Sequence, residues 1–420
     1  MSPTARFQIR KALFDKRASL NCRSWLAPVL GALMSGLVAS TSFAALGLPR
    51  QAPSLNEVQR ALTQPEQFAW ELFIAVNWPA NAKQPFGGNA PAQWGAWKDT
   101  TEVFLSAGKK PARWSQPDDP PADPTKTNLR LSDGIILSSS ADPSFVTGGL
   151  RDINNVPIYS EIRMNKVAFE HVLANELYNV EGQLVFLAEN KSLRMPEGAV
   201  EVKASWRVLH PVKDRAIQGR YFQTEGILQT PDGKKTRVKL GLNSMNIMFK
   251  LRDQWFWTAF EQVDNAAQTY NIGFPEVALA LRIDPATQAV NKIWKSRLAG
   301  TVWANYRSNG AQINYVNSDG SPTFLTNTQQ ETDILKTSSC IGCHAYSAIG
   351  RVAGVPSRLF PLKTSNPDGT GTGYLGTPNP QYLRDYVTLD FMWSFIEASP
   401  KNPANATQFL MVTGAKPSAR

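Results

Sequence analysis

Cys340-Ile341-Gly342-Cys343-His344, near the carboxyl end of a 420-residue chain, is the stretch on which the rest of the sequence turns. Two thiols three positions apart project from one side of a single helical turn, and an imidazole follows at once. The whole sequence holds only three Cys and three His. Composition alone would produce this arrangement on the order of once in ten thousand chains. C-x-x-C-H is the attachment signature of c-type haem. The thiols add across the two vinyl groups of one porphyrin, and the imidazole is held under the iron as its proximal ligand. Other uses of the pattern explain less of it. A redox C-x-x-C needs no His behind it and follows a strand in a βαβ unit, which the flanks Leu335–Ser339 and Ala345–Ser347 do not resemble. Structural zinc wants four N or S ligands, and there is no second Cys pair.

The amino terminus points the same way. Arg6, Arg10, Lys11, Lys16, Arg17 and Arg23 stand against Asp15 alone, an apolar run spans Trp25–Val38, and Ser42-Phe43-Ala44 offers a small-residue cleavage site. That is the order of a secretory signal peptide, so residues 1–44 are expected to be removed after Ala44. The apolar run is too short for a membrane span and is interrupted by Pro28, Ser35 and two glycines, so no stable span is expected after cleavage. Cys22 leaves with the signal, and the remaining chain keeps only Cys340 and Cys343. Haem c is attached on the outer side of the cytoplasmic membrane, so export and motif agree on a periplasmic protein. The full chain carries 44 basic and 34 acidic residues; without residues 1–44 these become 38 and 33. No Lys/Arg run or basic stripe stands out, and nucleic acid is not indicated.

Beyond the signal, Leu55–Val76 shows helical spacing of apolar residues broken at Gln64-Pro65, which predicts two short helices with Pro65 in the first turn of the second. Residues 81–130 are rich in Pro and Gly and read as a long excursion. Another helix is expected within Tyr159–Tyr178. From Gln183 onward the pattern predicts strands: Leu184–Leu187, Val200–Leu209, Tyr221–Leu228 and Thr236–Leu242 about a turn at Thr230–Lys234, then Ile247–Leu251 and Trp255–Phe260. Gly320-Ser321-Pro322 marks a boundary. Past it, helices are expected over Leu325–Leu335 and Tyr382–Ala398, with a weakly structured tail over 401–420.

Residues 323–400, a helix into C-x-x-C-H, a wrapping loop and an aromatic closing helix, resemble a class I c-type cytochrome domain. That resemblance implies that a proline carbonyl about a dozen residues past the ligand His accepts from its second nitrogen, and Pro356 stands at that distance. It also implies a Met as sixth iron ligand; Met392 is the first Met after His344, inside an apparent helix where core packing is an equal use for it. An open sixth site, or a ligand among His171, His210, Met245 and Met248, competes with it. The stretches Ala69–Ala80, Glu201–Leu209 and Trp255–Asn265 are similar to exported single-haem proteins of the cytochrome c family, a resemblance that implies an architecture and no substrate. The fold expected is α+β: a mainly antiparallel β module with flanking helices over 45–320, and a small all-α cytochrome c-like haem domain over 321–400. One covalent haem c is expected, on Cys340, Cys343 and His344.

Two functions follow. One is a periplasmic electron-transfer protein working with a redox partner protein, more electron carrier than catalyst. The other is a haem enzyme or sensor of O2, peroxide, NO or an organic substrate, with an open sixth site covered by the β module. No H-E-x-x-H, G-x-S-x-G or phosphate loop is present.

Overall fold

The computed structural model describes residues 55–81, 83–114, 158–189, 192–229, 235–267, 283–329, 338–352, 355–360, 375–402 and 410–413. The expected signal segment and its cleavage site, the Pro cluster at 117–124 and the Gly-rich stretch at 369–373 lie outside these residues.

The predicted break at Pro65 is there: α1 spans Leu55–Thr63 and α2 Pro65–Val76, with Pro65 at the start where no backbone N–H is needed. A short strand β1 (Lys98–Asp99) and one turn of helix α3 (Thr100–Val103) follow, joined by a capping box between Asp99 and Glu102. Next come β2 (Ile158–Met164), α4 (Lys166–Ala174) and α5 (Val180–Glu189). The run Leu184–Leu187, expected as a strand, belongs to α5. A short apolar run has no periodicity of its own, and its flanks decided the outcome. Strands β3 (Val200–Val208), β4 (Gln223–Gln229), β5 (Lys235–Phe249), β6 (Phe256–Gln262) and β7 (Tyr306–Gln312) complete a sheet, with helix α6 (Pro285–Arg297) between β6 and β7.

The sheet is antiparallel in the order β1-β2-β3-β5-β6-β7, with β4 paired to the first half of the long β5. It is an open sheet rather than a sandwich or barrel, and it is covered on both faces. On one face an aromatic layer packs beneath α2 and α6. The Phe73 ring lies 4.0 Å from Phe260 and nearly parallel to it, and Trp70 meets Phe260 edge-on at 4.9 Å and stacks on Trp294 at 5.7 Å. Aromatic pairs at these separations add to the area they bury.

The opposite face carries Met164, Glu201, Met248, Trp257 and Gln312 in a single cross-strand row, set by the register of β2, β3, β5, β6 and β7. Onto it pack α4, α5 and the C-terminal segment. Here the expected all-α domain needs correction among the described residues. The only α-helix of the segment is α7, Cys340–His344. It is followed by β8 (Ala348–Val352), β9 (Val355–Phe360), β10 (Tyr386–Thr388) and β11 (Leu410–Thr413), in the order β10-β8-β9-β11. The closing helix expected over Tyr382–Ala398 is a strand and two 3-10 turns. β11 lies in the tail expected to be weakly structured. Of the helix expected over Leu325–Leu335, residues 325–329 carry no helix and the rest lies outside the described residues. Nor does the chain separate at 320. The described residues belong to one compact unit, Leu46–Arg420. Leu325, Cys340, Ile341, Leu389, Met392 and Phe395 share a buried core with Met164, Phe169, Met248 and Trp257. Burying α7 against a ready-made sheet replaces the helical shell a free-standing domain would need.

Phe73 is fully buried, so Phe73→Ala is expected to lower unfolding stability by about 3–5 kcal/mol. Chemical denaturation followed by Trp fluorescence measures it; a loss under about 1 kcal/mol would mean that the aromatic layer is not the core it is taken to be.

Candidate functional site

The five-residue helix α7 is held at its start by the sheet. Ser339 caps it, its Oγ accepting from Gly342 N at 3.1 Å. Gln312, at the end of β7, grips both cap and helix: Nε2 donates to Ser339 Oγ at 3.0 Å and Oε1 accepts from Ile341 N at 3.2 Å. The carbonyl of Leu325 accepts from Ser338 Oγ at 3.1 Å, and Cys340 Sγ lies 3.7 Å from the same oxygen. Leu325 is in turn fixed by the stretch after it, which is hydrogen-bonded to the face of the sheet. Glu261 accepts from Thr328 N, Thr328 Oγ1 and Asn309 Nδ2 at 2.6, 2.8 and 2.7 Å. Asn309 and Asn243, where the strand register shifts, reach this stretch through Thr326 O and Gln329 Oε1. Irregularities of this kind re-aim side chains toward sites.

Cys340 is buried and Cys343 half-buried, and neither is in a disulfide. One turn of helix places both sulfurs on one side of α7. His344 Nδ1 sits 2.7 Å from the Phe391 carbonyl oxygen. A carbonyl can only accept, so Nδ1 carries the proton, and the lone pair is left on Nε2, the nitrogen a metal would take. The Trp257 ring is tilted 4.7 Å from the imidazole, and Trp393 meets it at 6.5 Å. Crowding by these groups pushes the imidazole down to about 4, chiefly by desolvation. The Phe391 hydrogen bond opposes this and the Lys203 charge adds to it. The ring is therefore neutral, as a metal ligand must be. Two thiols a turn apart, a neutral imidazole with Nε2 available and a second-shell acceptor on Nδ1 make a donor set that fits covalent haem. Among the described residues no group of three or more His, Cys, Asp or Glu is placed to hold a bare metal ion.

The Phe391 carbonyl is aimed by a strained turn. Asp390 and Phe391 have φ of +49° and +70°, a region that non-glycine residues adopt at a cost of about 1–3 kcal/mol each. Asp390 is locked there: Lys250 Nζ donates to both its oxygens at 2.8 and 2.7 Å, and Met195 N donates to Oδ2 at 2.6 Å. Lys250 and Asp390 are both buried. Burial raises the Asp390 carboxyl above its ordinary value, and Lys250 pulls it back. Four residues beyond Asp390, Ser394 Oγ donates to Glu201 Oε2 at 2.6 Å, and Ser347 Oγ donates to the Met392 carbonyl at 2.9 Å.

The structure places Cys340, Cys343 and His344 on the single short helix α7. It gives the other two candidates different places. The acceptor on His344 is the carbonyl of Phe391, forty-seven residues away, and not that of Pro356, which stands in β9 paired with Arg351. Met392 is fully buried in the core shared with Leu389 and Phe395. Its backbone begins from the peptide whose oxygen binds Nδ1. Among the competing ligands, Met245 Sδ is within 3.6 Å of Asn77 Nδ2, and His210 Nδ1 caps a surface turn by accepting from Val212 N and Lys213 N. His171 is partly buried in α4, with a buried Nε2 that has no hydrogen-bond partner among the described residues. Met248 is buried beside Trp257. Sequence reasoning missed Trp257, Gln312, Lys250, Asp390 and Phe391. The one local hint was Asp390, a residue type that tolerates a left-handed backbone.

No family model, curated protein or solved structure matches the chain. No helix among the described residues is long and apolar enough to cross a membrane.

Asp390→Asn keeps the backbone tolerance but leaves Lys250 buried beside a neutral partner. It is expected to lower stability by about 3–5 kcal/mol, as removal of one member of a buried pair does. The check is chemical denaturation of the variant against the parent; equal midpoints would show that the pair does not anchor the turn.

Proposed function

We propose that this chain is an exported c-type haem protein that carries one covalent haem on Cys340 and Cys343, with His344 as proximal ligand. When bound, the haem supplies one-electron redox and small-ligand chemistry at its iron. The chain's own residues hold and shield it. Cys340 and Cys343 form the thioether links, His344 Nε2 ligates, and Phe391 O fixes the ring while raising its basicity. Trp257 and Trp393 exclude water from one side of the imidazole.

The observation that carries the reading is the hydrogen bond of 2.7 Å from His344 Nδ1 to Phe391 O. It fixes the tautomer and leaves the Nε2 lone pair as the one that would take the iron. Met392 begins from the peptide whose oxygen is already bonded to Nδ1, and it lies in the core with Leu389 and Phe395, which supports a packing role for it. This favours an iron whose sixth site is open to a small ligand, the ligand-binding or catalytic reading, over a Met392-ligated electron carrier. A second reading keeps electron transfer with a redox partner protein, its sixth ligand coming from the sheet. Met248, buried beside Trp257, supports it.

The reduced protein is expected to bind CO, seen as a shift of the Soret band, and Met392→Leu to bind it unchanged. A reduced spectrum indifferent to CO in the parent, but responsive in Met392→Leu, would overturn the packing role of Met392. Loss of CO-insensitivity in Met248→Leu instead would favour the second reading. Cys340→Ala with Cys343→Ala is expected to abolish the covalent mass increment of haem; its persistence would sink the proposal.

A further inference from the structure

The Phe391 carbonyl is only as well placed as the groups behind it, and these run back into the sheet without a break. Asp390, one residue earlier, has φ of +49°, and Phe391 has φ of +70°. Lys250 Nζ donates to Asp390 Oδ1 at 2.8 Å and to Oδ2 at 2.7 Å, and the Met195 amide donates to Oδ2 at 2.6 Å. The lysine stands on a fixed base. Its N donates to Ala199 O at 2.8 Å and its O accepts from Gly198 N at 3.0 Å, pairing it with the residues that enter β3. Asn165, the cap of α4, pins that stretch in turn. Its Nδ2 donates to Gly198 O at 2.9 Å and its Oδ1 accepts from Val200 N at 3.1 Å. The lysine head is held as closely: Nζ also donates to Asp253 O at 3.3 Å and lies 5.3 Å from the centre of the Trp255 ring.

We propose that Lys250 and Asp390 are positioning residues for His344: by holding the Phe391 carbonyl on Nδ1 they set how strongly Nε2 donates to the haem iron. This rests on the haem reading above. A carbonyl held close to Nδ1–H draws that proton toward itself and leaves more electron density on Nε2. A stronger donor favours the oxidised iron and a weaker one the reduced iron. The clamp therefore acts on the redox equilibrium through one hydrogen bond of 2.7 Å.

A purely structural turn has no need of these groups. Reversing the chain is done at lower cost with Gly or Asn at both left-handed positions. A buried ion pair that serves stability alone is often matched by apolar side chains of similar volume. Here a buried lysine, a buried carboxylate and two strained residues all bear on the one residue whose oxygen meets the imidazole. The Phe391 side chain is committed as well. Its ring lies 5.9 Å from Trp257, whose ring is 4.7 Å from His344.

The test is an equilibrium redox titration of the full haem-bearing chain at neutral pH, with haem content verified by mass and Soret absorbance. Lys250→Arg is the decisive variant. It keeps the charge but loses the geometry, because a planar fork does not reproduce a compact ammonium seated between two carboxylate oxygens. Its midpoint potential is expected to rise. Outer-shell partners change metal affinity about 10- to 100-fold. Both oxidation states feel the same imidazole, so their ratio is expected to change less, about threefold to tenfold, tenfold being about 59 mV for one electron. A folded Lys250→Arg with the potential of the parent overturns the proposal. If Lys250→Arg does not fold, Asp390→Asn is compared with Asp253→Asn, which removes an exposed charge nearby and leaves its backbone oxygen in place. A higher potential in Asp390→Asn supports the clamp, and equal potentials overturn it. A chain without haem would overturn the haem reading and this inference with it, whereas a haem-bearing chain whose potential ignores the clamp overturns this inference alone.

Discussion

The geometry of the site depends on one carbonyl being held against one imidazole nitrogen. Phe391 O reaches His344 Nδ1 only because two consecutive non-glycine residues occupy the left-handed region. Such a turn persists where its surroundings over-determine it. Here the Lys250–Asp390 pair and the Met195 amide clamp the residue before, Ser347 holds the carbonyl after, and Ser394 ties the next turn to β3. Strain concentrated beside the proposed ligand His344 is what a pre-organised site requires. The imidazole has one tautomer and one orientation before anything binds.

The clamp draws on the sheet and on the segments packed against it. Gln312 on β7 bonds α7, Trp257 on β6 touches His344, Glu201 on β3 accepts from Ser394, and Lys250 immediately follows β5. A large module in front of a C-x-x-C-H motif is hard to explain if the motif brings its own domain. It is natural if the module supplies the wall against which a five-residue helix and an irregular segment are packed. Neither α7 nor the 389–398 stretch has enough regular structure to bury a prosthetic group alone.

Several features were legible in the residues. The interruption at Pro65 marked two helices, the hairpin chemistry before Lys235 marked β4 and β5, and the spacing of Cys340, Cys343 and His344 marked one turn of helix. Other expectations failed for a shared reason. In Val200–Val208 the alternation of Val202, Ala204 and Trp206 with Glu201, Lys203 and Ser205 marked a strand but not its cover. Glu201 and Arg207 are both buried, Glu201 against Ser394 of the C-terminal segment and Arg207 against Asp214 and Tyr221. Likewise Tyr382–Ala398, apolar enough for a helix, became a strand and 3-10 turns. Contacts with β3 and with the loop around Met195 compensate for the backbone bonds a helix would have made.

What the sequence determined by itself was local: which two thiols share one helical turn, which imidazole stands beside them, and where short elements begin and end. These are encoded in spacing, capping and turn chemistry within a few positions. Which oxygen meets His344 Nδ1, what buries Met392 and which lysine holds Asp390 were decided only in three dimensions. Those partners are drawn from strands far apart in the chain, and strand register, not spacing along the chain, brings them together.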